Sequence, residues 1–218
     1  MFELLAWIIA FIIAITFHEA AHAWMADRLG DPTARLMGRL SLNPLVHYDK
    51  VGTTLLLVLV ILRALGAPVL PFGWAKPVRF DPFNLKNPRR DSALIAVAGP
   101  ISNLIIASVA AIILRFTLQP LSLISMLAVF LIPIIYLNVI LAIFNLLPIH
   151  PLDGGKIFIG LLPENEAADA DLFLRRYGMI ILLFLIFPTF GGSSPISYVI
   201  SPVVEVILRF LLPSAPII

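Results

Sequence analysis

Two histidines and a glutamate near the N-terminus have the spacing of a metal-dependent hydrolase. His18-Glu19-Ala20-Ala21-His22 is an HExxH motif. Residues four apart share one face of an α-helix, so both imidazoles are able to bind the same metal ion. Glu19 adjoins the first histidine, close enough to take a proton from a metal-activated water. The motif therefore predicts a zinc site with His18 and His22 as ligands and Glu19 as general base.

The alternative is a structural role, in which two helical histidines and a lone buried glutamate are satisfied by their neighbours. The motif lies in an apolar segment, Leu4 to Met25. At 1.5 Å per residue this helix would be roughly 33 Å long, enough to cross the hydrocarbon core of a bilayer. An unpaired carboxylate near membrane depth costs a few kcal/mol, so ionisable residues there usually serve a function. The apolar setting favours the metal site.

A catalytic zinc site usually takes three protein ligands plus a water. Four residues are candidates for the third ligand, namely Asp153, His150, His47 and Glu205. The prolines and glycines around Asp153 break the preceding helix and let side chains turn inward, but an ordinary Asp-Gly turn at a helix end explains the same pattern, so the residues alone leave the choice open. Pro151 disfavours His150 as a ligand, and His47 is expected to be a solvated or capping residue. Glu205 receives no assigned role.

The composition places the chain in a membrane. Its 218 residues are 60% hydrophobic and 13% charged, and the mean hydropathy is +1.01. Soluble domains are about 45–50% apolar and about 25% charged. The net charge of +2 gives no indication of a nucleic-acid partner, and the absence of cysteine excludes thiolate ligands and disulfides. We expect one membrane-embedded domain, 1–218, with lipid as its solvent.

The hydrophobic pattern predicts an all-α polytopic membrane protein with about five to six apolar helices or half-helices. Two further spans are expected over 93–114 and 121–147, with a polar loop over 153–176 after them. Two apolar arms, 179–187 and 199–212, complete the chain. The catalytic core is thus expected over about 4–156 and the C-terminal arms over about 177–213.

Two irregular elements are expected between the first and second core helices. Partial alternation over 35–42 favours a short β-strand. The apolar segment 53–70 is short and contains Gly66 and Pro68, so it is predicted to be re-entrant rather than spanning. A basic, proline-rich loop follows over 73–91.

Beyond this, the chain resembles the site-2 proteases, which are intramembrane zinc metalloproteases. The HExxH motif is joined to Asn145-x-x-Pro148 and Leu152-Asp153-Gly154, as in that family. Gly99-Pro100-Ile101-Ser102-Asn103 is similar to the GxxxN motif of the family's next core helix. Gly73-Trp74-Ala75-Lys76-Pro77-Val78 resembles a loop of the compact prokaryotic members. The resemblance covers about residues 8–156, and we expect no PDZ or CBS domain in this length.

The resemblance implies roles for particular residues. His18, His22 and Asp153 would bind one catalytic Zn²⁺, Glu19 would be the general base, and Asn145 would assist substrate binding or polarisation. The substrates implied are membrane proteins cut within or near a transmembrane segment, with single-span proteins favoured. Gly99 and Asn103, considered by residue type alone, are expected to serve helix packing.

Charge distribution gives an independent expectation for topology. If 53–70 is re-entrant, the HExxH motif, Gly99, Asn103 and Asp153 all come to one side of the membrane. That arrangement leaves 12 of the 15 basic residues on the same side. The positive-inside rule makes this side cytoplasmic. We therefore expect a multi-pass protein of the cell membrane whose active site faces the cytoplasm.

Two other functions are compatible with the sequence. A non-catalytic membrane binding protein could use zinc as a structural element, although such a site has no need of Glu19. A transporter would carry ionisable groups at several depths, whereas the clearest cluster here lies at one depth.

Overall fold

Apolar helices make up most of the molecule. The computed structural model describes residues 2–64, 74–117, 127–187 and 194–212. Within these residues, three helices are long and apolar enough to cross a membrane. The helices are α1 Phe2–Arg28, α2 Thr33–Leu36, α3 Pro44–His47, α4 Gly52–Ala64, α5 Pro88–Thr117, α6 Ala128–Asn145, α7 Asp153–Leu161, α8 Glu164–Ile186 and α9 Pro195–Leu211.

A three-helix core of α1, α5 and α6 forms the centre of the fold. Small residues line the buried face of α1, namely Ala6, Ala10, Ala14, Ala20, Ala23 and Ala26. Small side chains allow backbones in a membrane to approach closely, so that dispersion and hydrogen bonds join the helices. The prediction of an all-α membrane protein is confirmed, and both long spans predicted after the first appear as α5 and α6. The part of the second span before residue 127 lies outside the described residues.

The short strand predicted over 35–42 is absent from the described residues, and that prediction was wrong. The chain forms α2 there and then turns at Gly38, whose φ is +68°. Local bonds explain the outcome. The N–H of Arg39 donates to the Ala34 carbonyl at 2.8 Å, and the Arg39 guanidinium donates to the Val46 carbonyl. The first bond uses the Arg39 N–H, which a strand would need for pairing, and both bonds stabilise the turn.

The two ends of the predicted re-entrant segment lie side by side. Thr53 Oγ1 donates to the Trp74 carbonyl at 3.1 Å, and a Cβ on Gly52 would lie 2.5 Å from the Trp74 ring. Between these ends, α4 accounts for the first 13 residues, and 65–73 lie outside the described residues. The proximity of the two ends is what a re-entrant segment requires, and the topology itself stays a prediction.

The C-terminal region is more helical than its charge suggested. The polar loop predicted over 153–176 is instead α7 and most of α8, and the arm at 179–187 is the end of α8. The four acidic residues after Pro163 begin or lie along α8, where an exposed helix face accommodates them without breaking the helix. The arm predicted over 199–212 is confirmed as α9, which packs against α6. Residues 188–193, between the two predicted arms, lie outside the described residues.

Candidate metal centre

Three predicted ligands converge at one point in the structure. Asp153 Oδ2 lies 3.1 Å from His18 Nε2 and 3.1 Å from His22 Nε2. The two Nε2 atoms are also 3.1 Å apart. In a tetrahedral zinc site with bonds of about 2.0–2.1 Å, neighbouring ligand atoms are separated by about 3.4 Å. The triangle therefore has the size of one face of such a site, and the fourth position remains for water or substrate.

The outer nitrogens of both imidazoles are already engaged. His22 Nδ1 lies 2.7 Å from the Ile95 carbonyl, which is only able to accept. His18 Nδ1 lies 2.7 Å from Asn103 Oδ1. With Nδ1 donating in each ring, both Nε2 atoms carry lone pairs in the neutral imidazoles. Three acceptors thus face one another at 3.1 Å, a repulsive arrangement unless a cation lies among them.

Two glycines allow this convergence. A Cβ on Gly99 would lie 2.5 Å from His22 Nε2 and 2.6 Å from His18 Cε1, so only glycine lets α5 pass this close to the ligands. A Cβ on Gly154 would lie 2.1 Å from the Leu147 carbonyl. Gly154 therefore allows the start of α7 to fold tightly under the end of α6. That tight turn brings Asp153 to the two histidines.

Glu19 lies beside the triangle and is tied to a separate segment. Its Oε2 accepts the backbone N–H of Val78 at 3.0 Å. Val78 belongs to the extended stretch after Trp74, which is bonded in turn to residues before α4: the Lys76 N–H donates to the His47 carbonyl at 2.9 Å. The sequence suggested a family loop here, but gave no sign that its backbone would hold the glutamate.

The other candidate ligands lie elsewhere. His47 is only 1% exposed and its Nε2 donates to the Ser41 carbonyl at 2.9 Å, so the expectation of a solvated residue was wrong. Glu205 is exposed on α9, 3.9 Å from Arg209. His150 is not among the three residues that converge. Burial and the positive charges of Arg175 and Lys156 lower the pKa of its imidazole.

The two asparagines of the sequence motifs, Asn145 and Asn103, have different hydrogen-bond partners. Asn145 Nδ2 donates to the Leu141 carbonyl of its own helix at 3.0 Å, and its part in substrate binding stays a prediction. Asn103, predicted to serve packing, does so but also contacts a ligand imidazole. The spacing of Gly99 and Asn103 puts both on one face of α5. That spacing was the available signal that the face meets the HExxH helix.

An apolar cleft approaches the centre from within the membrane region. It has a volume of about 860 Å³ and lies between α1, α4 and α6. It ends at Ala14, one helical turn before His18, and at Phe144, next to Asn145. Its remaining lining residues are Glu3, Leu4, Trp7, Ile8, Phe11, Leu56, Leu57, Val60, Leu137, Ile140 and Leu141.

Comparison with known proteins gives the same family. The model of peptidase family M50 matches residues 6–187. YwhC of Bacillus subtilis, whose name calls it a candidate zinc metalloprotease, is 37% identical over 205 residues, covering 91% of this chain and 85% of its own length. Rip2 of Mycolicibacterium smegmatis, named in the same way, is 31% identical over 82% of this chain and 65% of its own.

A more distant relative is the Regulator of sigma-E protease RseP of Escherichia coli, which is 31% identical over 49% of this chain and 24% of its own length. No solved structure was found to match the chain. The family match covers most of the sequence, including the three converging residues and the cleft beside them. The chain therefore belongs to peptidase family M50, the site-2 protease family of intramembrane zinc metalloproteases.

Proposed function

We propose that His18, His22 and Asp153 hold one catalytic zinc ion and that Glu19 is the general base of peptide hydrolysis. The observation that carries the proposal is the triangle of three acceptor atoms, 3.1 Å apart on every side. When bound, zinc polarises the scissile carbonyl and makes the attacking water more acidic. The triangle leaves room for one further position, which a catalytic site needs and a structural zinc site lacks.

Glu19 transfers a proton from the attacking water to the leaving amine. Its Oε2 is held by the Val78 N–H, and a carboxylate held in this way is fixed beside the ligands rather than free to rotate. It takes the proton of the attacking water and delivers it to the leaving amine. Asn145 follows Phe144, a lining residue of the cleft, and would bind the substrate carbonyl presented there.

The substrate is an apolar membrane segment that enters by the cleft between α1, α4 and α6. The cleft wall is almost entirely aliphatic and aromatic, and it runs along α1 toward His18. A helical segment hides its carbonyls, so the substrate must unwind locally before hydrolysis. Asn145 would then bind the backbone of the unwound stretch.

The experiment compares Glu19→Gln with Glu205→Gln in proteoliposomes that also contain tagged single-span membrane proteins. We expect Glu19→Gln to reduce cleavage by about 10²–10⁴-fold, as loss of a general base does. Its zinc content should stay near one ion per chain, because the ligands are intact. Glu205→Gln, a change in an exposed carboxylate, should leave both unchanged. Comparable cleavage by Glu19→Gln would overturn the assignment of the base.

We further propose that the centre faces the cytoplasm. The chain lacks cysteine, so single cysteines at Leu45 and Phe83, which are 77% and 95% exposed, report the two sides of the re-entrant segment. An impermeant thiol reagent should label both from the cytoplasmic face of cell-membrane vesicles. Phe116→Cys, at the far end of α5, should react only from the opposite face. Labelling of positions 45 and 83 from different faces, or both from outside, would contradict the topology.

A further inference from the structure

A pair of asparagines lies in the helix core behind the metal centre. Asn103 of α5 and Asn138 of α6 are both 0% exposed. Both lie within helices apolar enough to span a membrane, where an unsatisfied amide is costly. The proposed function uses neither residue. Their hydrogen bonds nevertheless lead directly to His18.

The orientation of Asn138 is set by a main-chain carbonyl. Asn138 Nδ2 lies 2.8 Å from the Ile134 carbonyl, which is only able to accept, so the amide nitrogen must point there. Its Oδ1 consequently points the other way, toward Asn103 Nδ2 at 2.8 Å. The side chain therefore offers α5 an acceptor and not a donor.

Asn103 is oriented by two acceptors at once. Its Nδ2 donates to Asn138 Oδ1 and to the Ala14 carbonyl, the latter at 2.9 Å. Both amide hydrogens are then in use, and Oδ1 is directed at His18 Nδ1, 2.7 Å away. An oxygen at this position requires a hydrogen on Nδ1, which leaves the Nε2 lone pair for the metal.

We propose that Asn103 and Asn138 act as positioning residues, which fix the tautomer and the ring orientation of His18 so that Nε2 faces the metal. The main-chain carbonyls of Ile134 and Ala14 orient the two asparagine amides. The Asn103 amide in turn orients the imidazole. Partners of this kind usually affect metal affinity by 10–100-fold. This inference rests on the proposed metal site, and it adds Asn138, which acts through Asn103.

A purely structural role makes a different prediction. If the pair only joins α1, α5 and α6, every loss of its bonds should lower stability without changing metal affinity in the folded protein. Asn103→Asp separates the two roles. It loses the donors to Ala14 and Asn138 but keeps an acceptor for His18 Nδ1. Asn103→Leu, of similar size, loses all three bonds.

The test measures zinc affinity of the folded protein in detergent by competition with a chelator. We expect Asn103→Leu to weaken zinc binding by about 10–100-fold. Asn103→Asp should stay close to wild type, despite its lost helix contacts, and Asn138→Leu should weaken binding by a smaller factor. Ser108→Ala is the matched control, since that hydroxyl bonds within its own helix, to the Leu104 carbonyl at 2.8 Å.

Histidine-selective ¹⁵N NMR of metal-free protein gives a second measurement. At a pH where the imidazole is neutral, wild-type His18 should carry its hydrogen on Nδ1, whereas Asn138→Leu should show exchange between the two tautomers. Asn138→Ala serves if the leucine variant does not fold. Wild-type affinity together with an unchanged tautomer in both Asn103→Leu and the Asn138 variant would overturn the proposal. Failure of the proposed function would be distinct, because the wild-type protein itself would then fail to bind zinc or to cleave.

Discussion

Asp31 and Asp153 are both shielded carboxylates, but opposite kinds of atoms surround them. Asp31 accepts four hydrogen bonds, from the Thr33 N–H at 3.1 Å, the Thr33 hydroxyl at 2.6 Å, the Asp81 N–H at 2.8 Å and Asn84 Nδ2 at 2.7 Å. Asp153 faces two imidazole nitrogens whose hydrogens lie on the far side of each ring. One carboxylate is satisfied by donors from the protein, and the other is expected to be satisfied by the proposed zinc ion.

Counting the hydrogen-bond donors around a buried carboxylate distinguishes a structural acid from a candidate metal ligand. A buried carboxylate with a full set of donors closes a loop, as Asp31 does by joining the start of α2 to the segment around Asp81. A carboxylate that shares its space with lone pairs is unfavourable without an ion. Burial alone would not distinguish the two residues, because both are largely withdrawn from solvent.

The largest expected effect comes from replacing each acid by its amide. Asp153→Asn should abolish stoichiometric zinc binding and reduce cleavage by more than the 10–100-fold typical of losing an outer partner. In metal-free protein at alkaline pH, where both imidazoles are neutral, it should raise thermal stability, because an amide N–H is able to donate to an Nε2 lone pair. Thermal unfolding and elemental analysis of the purified variant measure both quantities.

Asp31→Asn should have the opposite effects, a loss of stability without a loss of zinc. It places an amide where the Asp81 N–H needs an acceptor, so it should lower stability by about 1–3 kcal/mol. The folded fraction should keep its zinc. The comparison fails if both variants shift stability in the same direction in metal-free protein. It also fails if Asp153→Asn binds zinc at full stoichiometry.

An intermediate effect is expected at Glu19, which combines features of both acids. Its Oε2 accepts one main-chain N–H, as Asp31 does, while it adjoins the ligand triangle, as Asp153 does. Val78→Pro removes that N–H and should lower cleavage by about 10-fold or more, because a base that turns away from its proton loses much of its 10²–10⁴-fold contribution. Zinc content should not change.

Val78→Ala is the control, because it shortens the side chain but keeps the N–H. Cleavage assays on both variants at equal zinc content separate the bond from the side chain. Equal activity in the proline and alanine variants would mean that the Val78 N–H does not hold the base. The sharper conclusion would then be that Glu19 is positioned by its own helix alone.

The sequence predicted the residues that converge but not the atoms that orient them. His18 and His22 follow from helical spacing, which is local, whereas Asp153 was one of four candidates and was singled out by the family resemblance. Two of the four donors to Asp31, the Asp81 N–H and the Asn84 amide, come from residues 50 or more positions away. The Val78 N–H that holds Glu19 and the Ile95 carbonyl that holds His22 are also distant in sequence, and both are backbone groups that any residue type supplies. The two helices that replace the predicted loop over 153–176 were missed because charge on an exposed helical face resembles charge in a loop.

The smallest effect expected is a pH dependence of the contribution that Asp31 makes to the stability of the folded protein. Burial alone would raise the pKa of Asp31, but bonds from Thr33, Asn84 and the Asp81 backbone outweigh it and hold the pKa below its ordinary value. An acid whose pKa is lower in the folded state stabilises the protein above its unfolded pKa of about 3.9 and loses that stabilisation below it.

The measurement is the difference in melting temperature between metal-free wild type and Asp31→Asn. This difference should be constant from pH 7 to 5 and should shrink as the pH falls below about 4 toward the folded pKa. Other acids, including Asp153, are present in both proteins and cancel in the difference.

Asp171→Asn is the control, because this acid pairs on the surface with Arg175 and such pairs contribute about 0–1 kcal/mol. If the melting-temperature difference for Asp31→Asn stays unchanged down to pH 3, the hydrogen-bonding geometry of Asp31, and not its charge, stabilises the loop. The contrast with Asp153 would then rest on the metal site alone.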